Sequence, residues 1–193
     1  VAEQPPFAFE VSYGKQGVPV YRAHARPLQV APIPESPFTG RPNALLAASI
    51  DLEVFGDDFL PAYTHGDNSM IVATDSMKNF IIRESLSFDG ATIEGLLHHL
   101  GVGFSTTYEQ LHTLQVTGRE LPFSGGSVPD GAGGFVVSNN LFEGAGGAVA
   151  GASIALRRED GNVQVTGHSC GLTGLSLMKL TGSAFTAFVR DDY

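Results

Sequence analysis

Four groups of residues in this 193-residue chain carry side chains that could do chemistry. Lys15 sits in "YGKQG", within an otherwise apolar stretch, between glycines that let the backbone kink. A lysine there ordinarily snorkels its ammonium to solvent; desolvated, its pKa falls and it becomes a base near neutrality. Thr74, Asp75 and Ser76 stand where the apolar run "SMIVAT" meets a helical stripe. Residues of this kind are favoured helix caps. A helix N-terminus also presents unpaired N–H groups and the positive end of the dipole, where a small planar anion can dock without any arginine. A threonine hydroxyl is a poor base alone, so Thr74 would need a lysine such as Lys15 to relay a proton. Their separation along the chain leaves open whether they meet.

The other two groups are weaker. "GHSCG" puts His168 and Cys170 two apart, on one face if the segment is a strand. Two ligands fall short of a zinc site, and adjacency along a strand rarely gives a Cys–His catalytic pair. His98 and His99 are neighbours on a helix and point apart, as surface or interface histidines do. No metal ligand is assigned. "GAGGAVAG" lacks the Gly-x-Gly-x-x-Gly spacing and the strand-to-helix context of a dinucleotide site, and no Lys-Ser or Lys-Thr follows it, so its glycines read as loop residues. Asp57–Asp58 reads as a turn, residues 157–160 as a solvated hairpin end, and residues 188–192 as a local ion-pair network.

Composition narrows the classes of function. The net charge of −9 comes with no basic stripe, which argues against a nucleic-acid partner. An apolar fraction of 42% can build a core, and a charged fraction of only 16% hints at surface buried in an assembly. No apolar run reaches membrane-spanning length and no leader pattern opens the chain at Val1. Cys170 is the sole cysteine, so no intrachain disulfide is possible. The expectation is a soluble, cytoplasmic protein with no membrane partner.

The elements that must position these residues follow from periodicity. Residues 7–25 alternate through Phe7, Phe9, Val11, Val18 and Val20 as a half-buried strand, with a bend or bulge at Gly14–Gly17. Residues 27–43 form a Pro-rich loop, and residues 44–56 a second strand with Ile50, Leu52 and Val54 on one face. "SMIVAT" reads as a buried strand running straight into a helix, although periodicity cannot separate strand from helix start. Met77, Phe80, Ile81 and Leu86 give the helical stripe, which "SFDG" ends. A second helix spans residues 92–111, with Thr92 as cap and Ile93, Leu96, Leu97 and Leu100 on one face. Strands are expected at residues 111–121, at 135–141, in a hairpin at 151–171 turning on Asp160–Gly161, and at 182–193. Gly-rich hairpin loops or bulges fill residues 124–151. The order implies an α+β fold with two helices on one face of an antiparallel sheet.

Three stretches, "YGKQGVPVYRAH", "THGDNSMIVATDSMKNF" and "GLTGLSLMKLTGSAFTAFVRDDY", resemble the urate oxidase (uricase) family in its amino-terminal half. The resemblance implies a tunnelling fold (T-fold), here a single domain over residues 1–193, with the family's second T-fold domain absent from this chain. It implies oxidation of urate by O2 to 5-hydroxyisourate and hydrogen peroxide with no metal or organic cofactor, O2 being a co-substrate. It also implies a tetramer-like T-fold oligomer, and a peroxisomal location were the source eukaryotic. Residue by residue, Lys15 and Thr74 match the catalytic dyad. Asp75 matches the residue whose backbone N–H binds the purine, and Phe185 the phenylalanine stacked on the substrate ring. The family's urate clamp and oxygen-site residues lie beyond the match. A second T-fold domain or chain is therefore expected to complete the site, the missing half being a separate chain or removed by cleavage or truncation. The alternatives are a non-catalytic T-fold binding or assembly subunit for a purine or pterin, and a zinc-dependent pterin enzyme.

Overall fold

The alternating apolar residues of the first third of the chain become two long paired strands. The computed structural model describes residues 10–178, 180, 187 and 189. Strand β1 (Ser12–Ala23) and, beyond a small hairpin of β2 (Leu28–Gln29) and β3 (Gly40–Arg41), strand β4 (Leu45–Phe55) run antiparallel. A 3-10 turn at Asp57–Phe59 and a short helix α1 (Leu60–Thr64) lead to α2 (Thr74–Ser87) and α3 (Ile93–Thr107). Strands β5 (Thr113–Glu120), β6 (Phe123–Pro129), β7 (Phe135–Gly144), β8 (Val149–Glu159) and β9 (Asn162–Thr173) follow. The main sheet is antiparallel in the order β1-β4-β5-β8-β9, while β6 and β7 pair with each other as a separate ribbon.

Both long helices lie on one face of this sheet, α2 over β1 and α3 over β5 and β8. The period-two alternation of β4 sends Ile50, Leu52 and Val54 into that layer, fully buried, to meet Met77, Ile81, Leu97, Leu100 and Phe104. The opposite face is half-buried and polar, with Thr117 donating to Ser153 Oγ at 3.2 Å and Ser12 to Glu53 Oε1 at 2.7 Å. One helical face and one sheet face thus share a single apolar layer.

Strand β1 needs a device to stay in that layer. Lys15 pairs with Leu52 and Val18 with Ile50, so two residues of β1 oppose the single Asp51. The bulge lets Lys15 and Val18, an odd number of positions apart, face the same side. Gly17 takes a φ of 68°, and its N–H donates to Asp51 Oδ1 at 2.7 Å. Other residues adopt that backbone only with strain. The expected bulge between Gly14 and Gly17 is therefore present, as are the Asp160–Gly161 turn and the Thr92 cap. Thr92 Oγ1 accepts from Gly95 N at 3.1 Å. Replacing Thr92 by Ala should cost about 1 kcal/mol in urea unfolding.

Several expectations need correction. "SMIVAT" is not a strand: the Ile71 N–H donates to Asn68 O in a turn and the Val72 N–H to a tyrosine hydroxyl, so neither enters a sheet ladder. Leu86 does not join the α2 stripe; it is 66% exposed, and Ser85, bonded to Ile81 O, is buried in its place. At 100° per residue Leu86 lies about half a turn round the helix from Met77, opposite the buried stripe that Ser85 continues. The Pro-rich segment contains the β2–β3 pair and part of the Gly-rich stretch forms β6, whereas Asp57–Asp58 does lie in a turn, the 3-10 one. The expected strand over residues 182–193 lies outside the described residues.

Candidate functional site

Lys15 shares its side of the sheet with buried Leu52, and that side carries α2. Its side chain is 33% exposed, and its Nζ lies 3.9 Å from Asp75 Oδ1. The same carboxylate oxygen is 3.4 Å from Lys78 Nζ, one helical turn on. The fold thus brings Lys15 to the residue that adjoins Thr74.

Thr74 is the first helical residue of α2, and the N-cap is Ala73, which has no polar side chain. Thr74, Asp75 and Ser76 are therefore not caps; they occupy the first turn itself. The first backbone bond of the helix runs from Met77 N to Ala73 O at 3.1 Å. The amides of Thr74, Asp75 and Ser76 precede it and have no carbonyl within the helix to accept them. A positive dipole end and two ammonium groups converge here on the Asp75 carboxylate. Its side chain is 78% exposed, so the locus is open on one side. The arrangement suits a small planar anion that accepts hydrogen bonds from the helix amides while its acidic N–H faces a hydroxyl and a lysine.

Sequence reasoning overlooked two contributors. Tyr13 lies two residues before Lys15 and faces the same side, because its partner Val54 is buried like Leu52. Its hydroxyl accepts the Val72 N–H at 2.8 Å, and burial holds its pKa above the usual tyrosine value. Strand alternation could have flagged it. Lys78 was detectable from its spacing of three from Asp75. Phe185 lies outside the described residues.

His168 and Cys170 do share a face of β9, opposite Ile154 and Ala152. With Glu94, Leu97 and His98 they line a mostly apolar pocket of about 230 Å³, away from Lys15. His99 points elsewhere, to Ser87 Oγ at 3.1 Å. Among the described residues, no three His, Cys, Asp or Glu side chains converge in a metal-holding group. No helix among them is long and apolar enough to cross a membrane.

This antiparallel sheet with paired helices on one face is shared with solved urate oxidases. The structure superposes on a hyperthermostable mutant of Bacillus sp. TB-90 urate oxidase with a TM-score of 0.83 and 37% identity, covering 95% of this chain and 60% of that one. A Haloferax volcanii uricase is 43% identical over 185 residues, which are 95% of this chain and 60% of that protein. The uric acid degradation bifunctional protein of Bacillus sp. TB-90 is 38% identical over 94% of this chain and 36% of its own length. No protein-family model matches. Over nearly its whole length the chain is similar to urate oxidases (uricases), and it spans about three fifths of the length of the Haloferax volcanii uricase.

Proposed function

We propose that this chain supplies the Lys15–Thr74 side of a urate-oxidising active site. The reaction is oxidation of urate, or a closely related purine-like heterocycle, by O2 to 5-hydroxyisourate and hydrogen peroxide, with no metal or organic cofactor. The observation that carries the proposal is the position of Lys15, whose ammonium reaches the first turn of an α2 helix that has no side-chain cap.

In this reading urate docks as an anion on the free amides at Thr74 and Asp75, and Phe185 stacks on its ring. With Lys15 as the free amine, Thr74 gives its hydroxyl proton to Lys15 and takes one from urate, giving the dianion. The dianion gives up two electrons to O2, which takes one proton from Lys15 and one from the hydrating water and leaves as hydrogen peroxide. Water then adds to the oxidised ring, and loss of its proton completes 5-hydroxyisourate. Substrate must displace or reorient the Asp75 carboxylate, because that group already pairs with Lys15. The open side of the locus is closed by a second T-fold domain or chain within an oligomer, which brings the urate clamp. The reaction is placed in the cytoplasm, or in the peroxisome of a eukaryote.

The full-length protein, stripped of metals, should consume urate and O2 in a one-to-one ratio and release peroxide. Urate binding without oxygen uptake would favour a T-fold binding or assembly subunit instead. Activity restored only by added zinc would favour a metal-dependent enzyme.

A further inference from the structure

We propose that Tyr13 is a positioning residue that holds the start of α2 in register with Lys15, a role that rests on the active-site reading above. Lys15 and Tyr13 are alternate residues of β1 on the same sheet face. Thr74 and Val72 are alternate residues across the helix start, joined through Ala73, whose carbonyl accepts the first helical bond. The Tyr13 hydroxyl accepts the Val72 N–H at 2.8 Å, and with the Lys15–Asp75 ion pair at 3.9 Å it joins β1 to the start of α2 at two points.

Both partners of the Tyr13 bond are constrained. Val72 is only 5% exposed, so its amide depends on the phenol for a partner. The Tyr13 ring meets Phe59 edge-on, with centroids 4.8 Å apart at 87°, which fixes where the hydroxyl points. Gly14, between Tyr13 and Lys15, lies so close to β4 that an added Cβ would sit 2.1 Å from Leu52 O. The segment Asp67–Ala73 has no ladder and α2 has no side-chain cap, so among the described residues this hydrogen bond ties strand to helix entry beside the exposed Lys15–Asp75 ion pair. Without it the peptide two residues before Thr74 is free to turn, and the hydroxyl shifts relative to Lys15. Misplacement of about 1 Å is enough to slow an oriented reaction about 100-fold.

The test compares the full-length parent with Tyr13→Phe, which keeps the ring and its Phe59 contact but removes the acceptor. Ile154→Val, in distant β8, serves as a variant with a modest core defect. Tyr13→Phe should lower kcat for urate by about 10- to 100-fold with KM little changed, because orientation and not uniform binding is lost. Amide exchange at Val72 through Ser76 should accelerate in Tyr13→Phe alone, while Ile154→Val keeps parent kcat and parent exchange there. Parent-like turnover in Tyr13→Phe overturns the proposal, as does an equal loss of kcat in Ile154→Val. A parent with no urate oxidation refutes the active-site reading. The exchange data then decide separately whether Tyr13 holds the helix start, and unchanged exchange overturns that too.

Discussion

Replacing Lys15 by Met in the full-length protein is expected to lower urate turnover at least about 100-fold, the scale of losing a positioned general base. The effect on substrate binding should be smaller, because the amides of α2 and not the ammonium carry the anion. Methionine keeps much of the unbranched stem, so the bulge and the pairing with Leu52 stay in place. Folding stability should change little. The ion pair it removes spans 3.9 Å to a carboxylate that is 78% exposed, and surface pairs of this kind contribute about 0–1 kcal/mol. Steady-state kinetics beside urea unfolding would show chemistry lost with stability retained. Turnover equal to the parent would remove Lys15 from the mechanism.

The second large effect concerns stability. Phe104→Ala should destabilise the protein by about 3–5 kcal/mol, as truncation of a fully buried aromatic does. Phe104 is 0% exposed and meets Phe80 of α2 at 5.1 Å in a T-shaped contact, with Tyr108 at 4.7 Å on its other side. Its removal opens a cavity between the two helices. Through α2 the defect reaches the helix whose N-terminus forms the candidate site. Leu86→Ala, on the same helix but 66% exposed, should stay within about 0.5 kcal/mol. Urea denaturation of both variants checks the pair, and a similar loss in each would mean that the helix layer is packed differently.

Strict patterns were the legible ones. Alternation through Ile50, Leu52 and Val54, the spacing of Met77, Phe80 and Ile81, and the Asp-Gly turn each carry one dominant local cause, and the structure follows them. "SMIVAT" misleads because four of its residues are apolar for different reasons. Val72 is buried beneath Tyr13 and Met70 and Ile71 only lean on the core, so burial without a strand neighbour looks the same in sequence as a buried strand. The β6–β7 ribbon was half hidden, since Gly125 and Gly126 resemble loop glycines while the pairing that makes β6 a strand is supplied by residues downstream.

The candidate site was legible as two fragments and not as a whole. Lys15 and the Thr74–Ser76 joint stood out by residue type, but their meeting depends on the β1 register and on the placement of α2 over that strand. Both are tertiary facts. The first-turn role of Asp75 was concealed because Asp and Ser favour capping positions, whereas here Ala73 takes the cap and leaves the amides free. Tyr13 was unreadable as a tie because its partner is a backbone amide in a segment with no regular structure.

The central claim is that Lys15 removes a proton from bound urate through Thr74. The most direct measurement is the ultraviolet spectrum of urate bound anaerobically to the full-length protein, beside that of Lys15→Met, at a pH where free urate is the monoanion. The parent should hold urate as the dianion and the variant as the monoanion, with both binding it. A monoanion spectrum in the parent, or the same dianion spectrum in both proteins, would contradict the account.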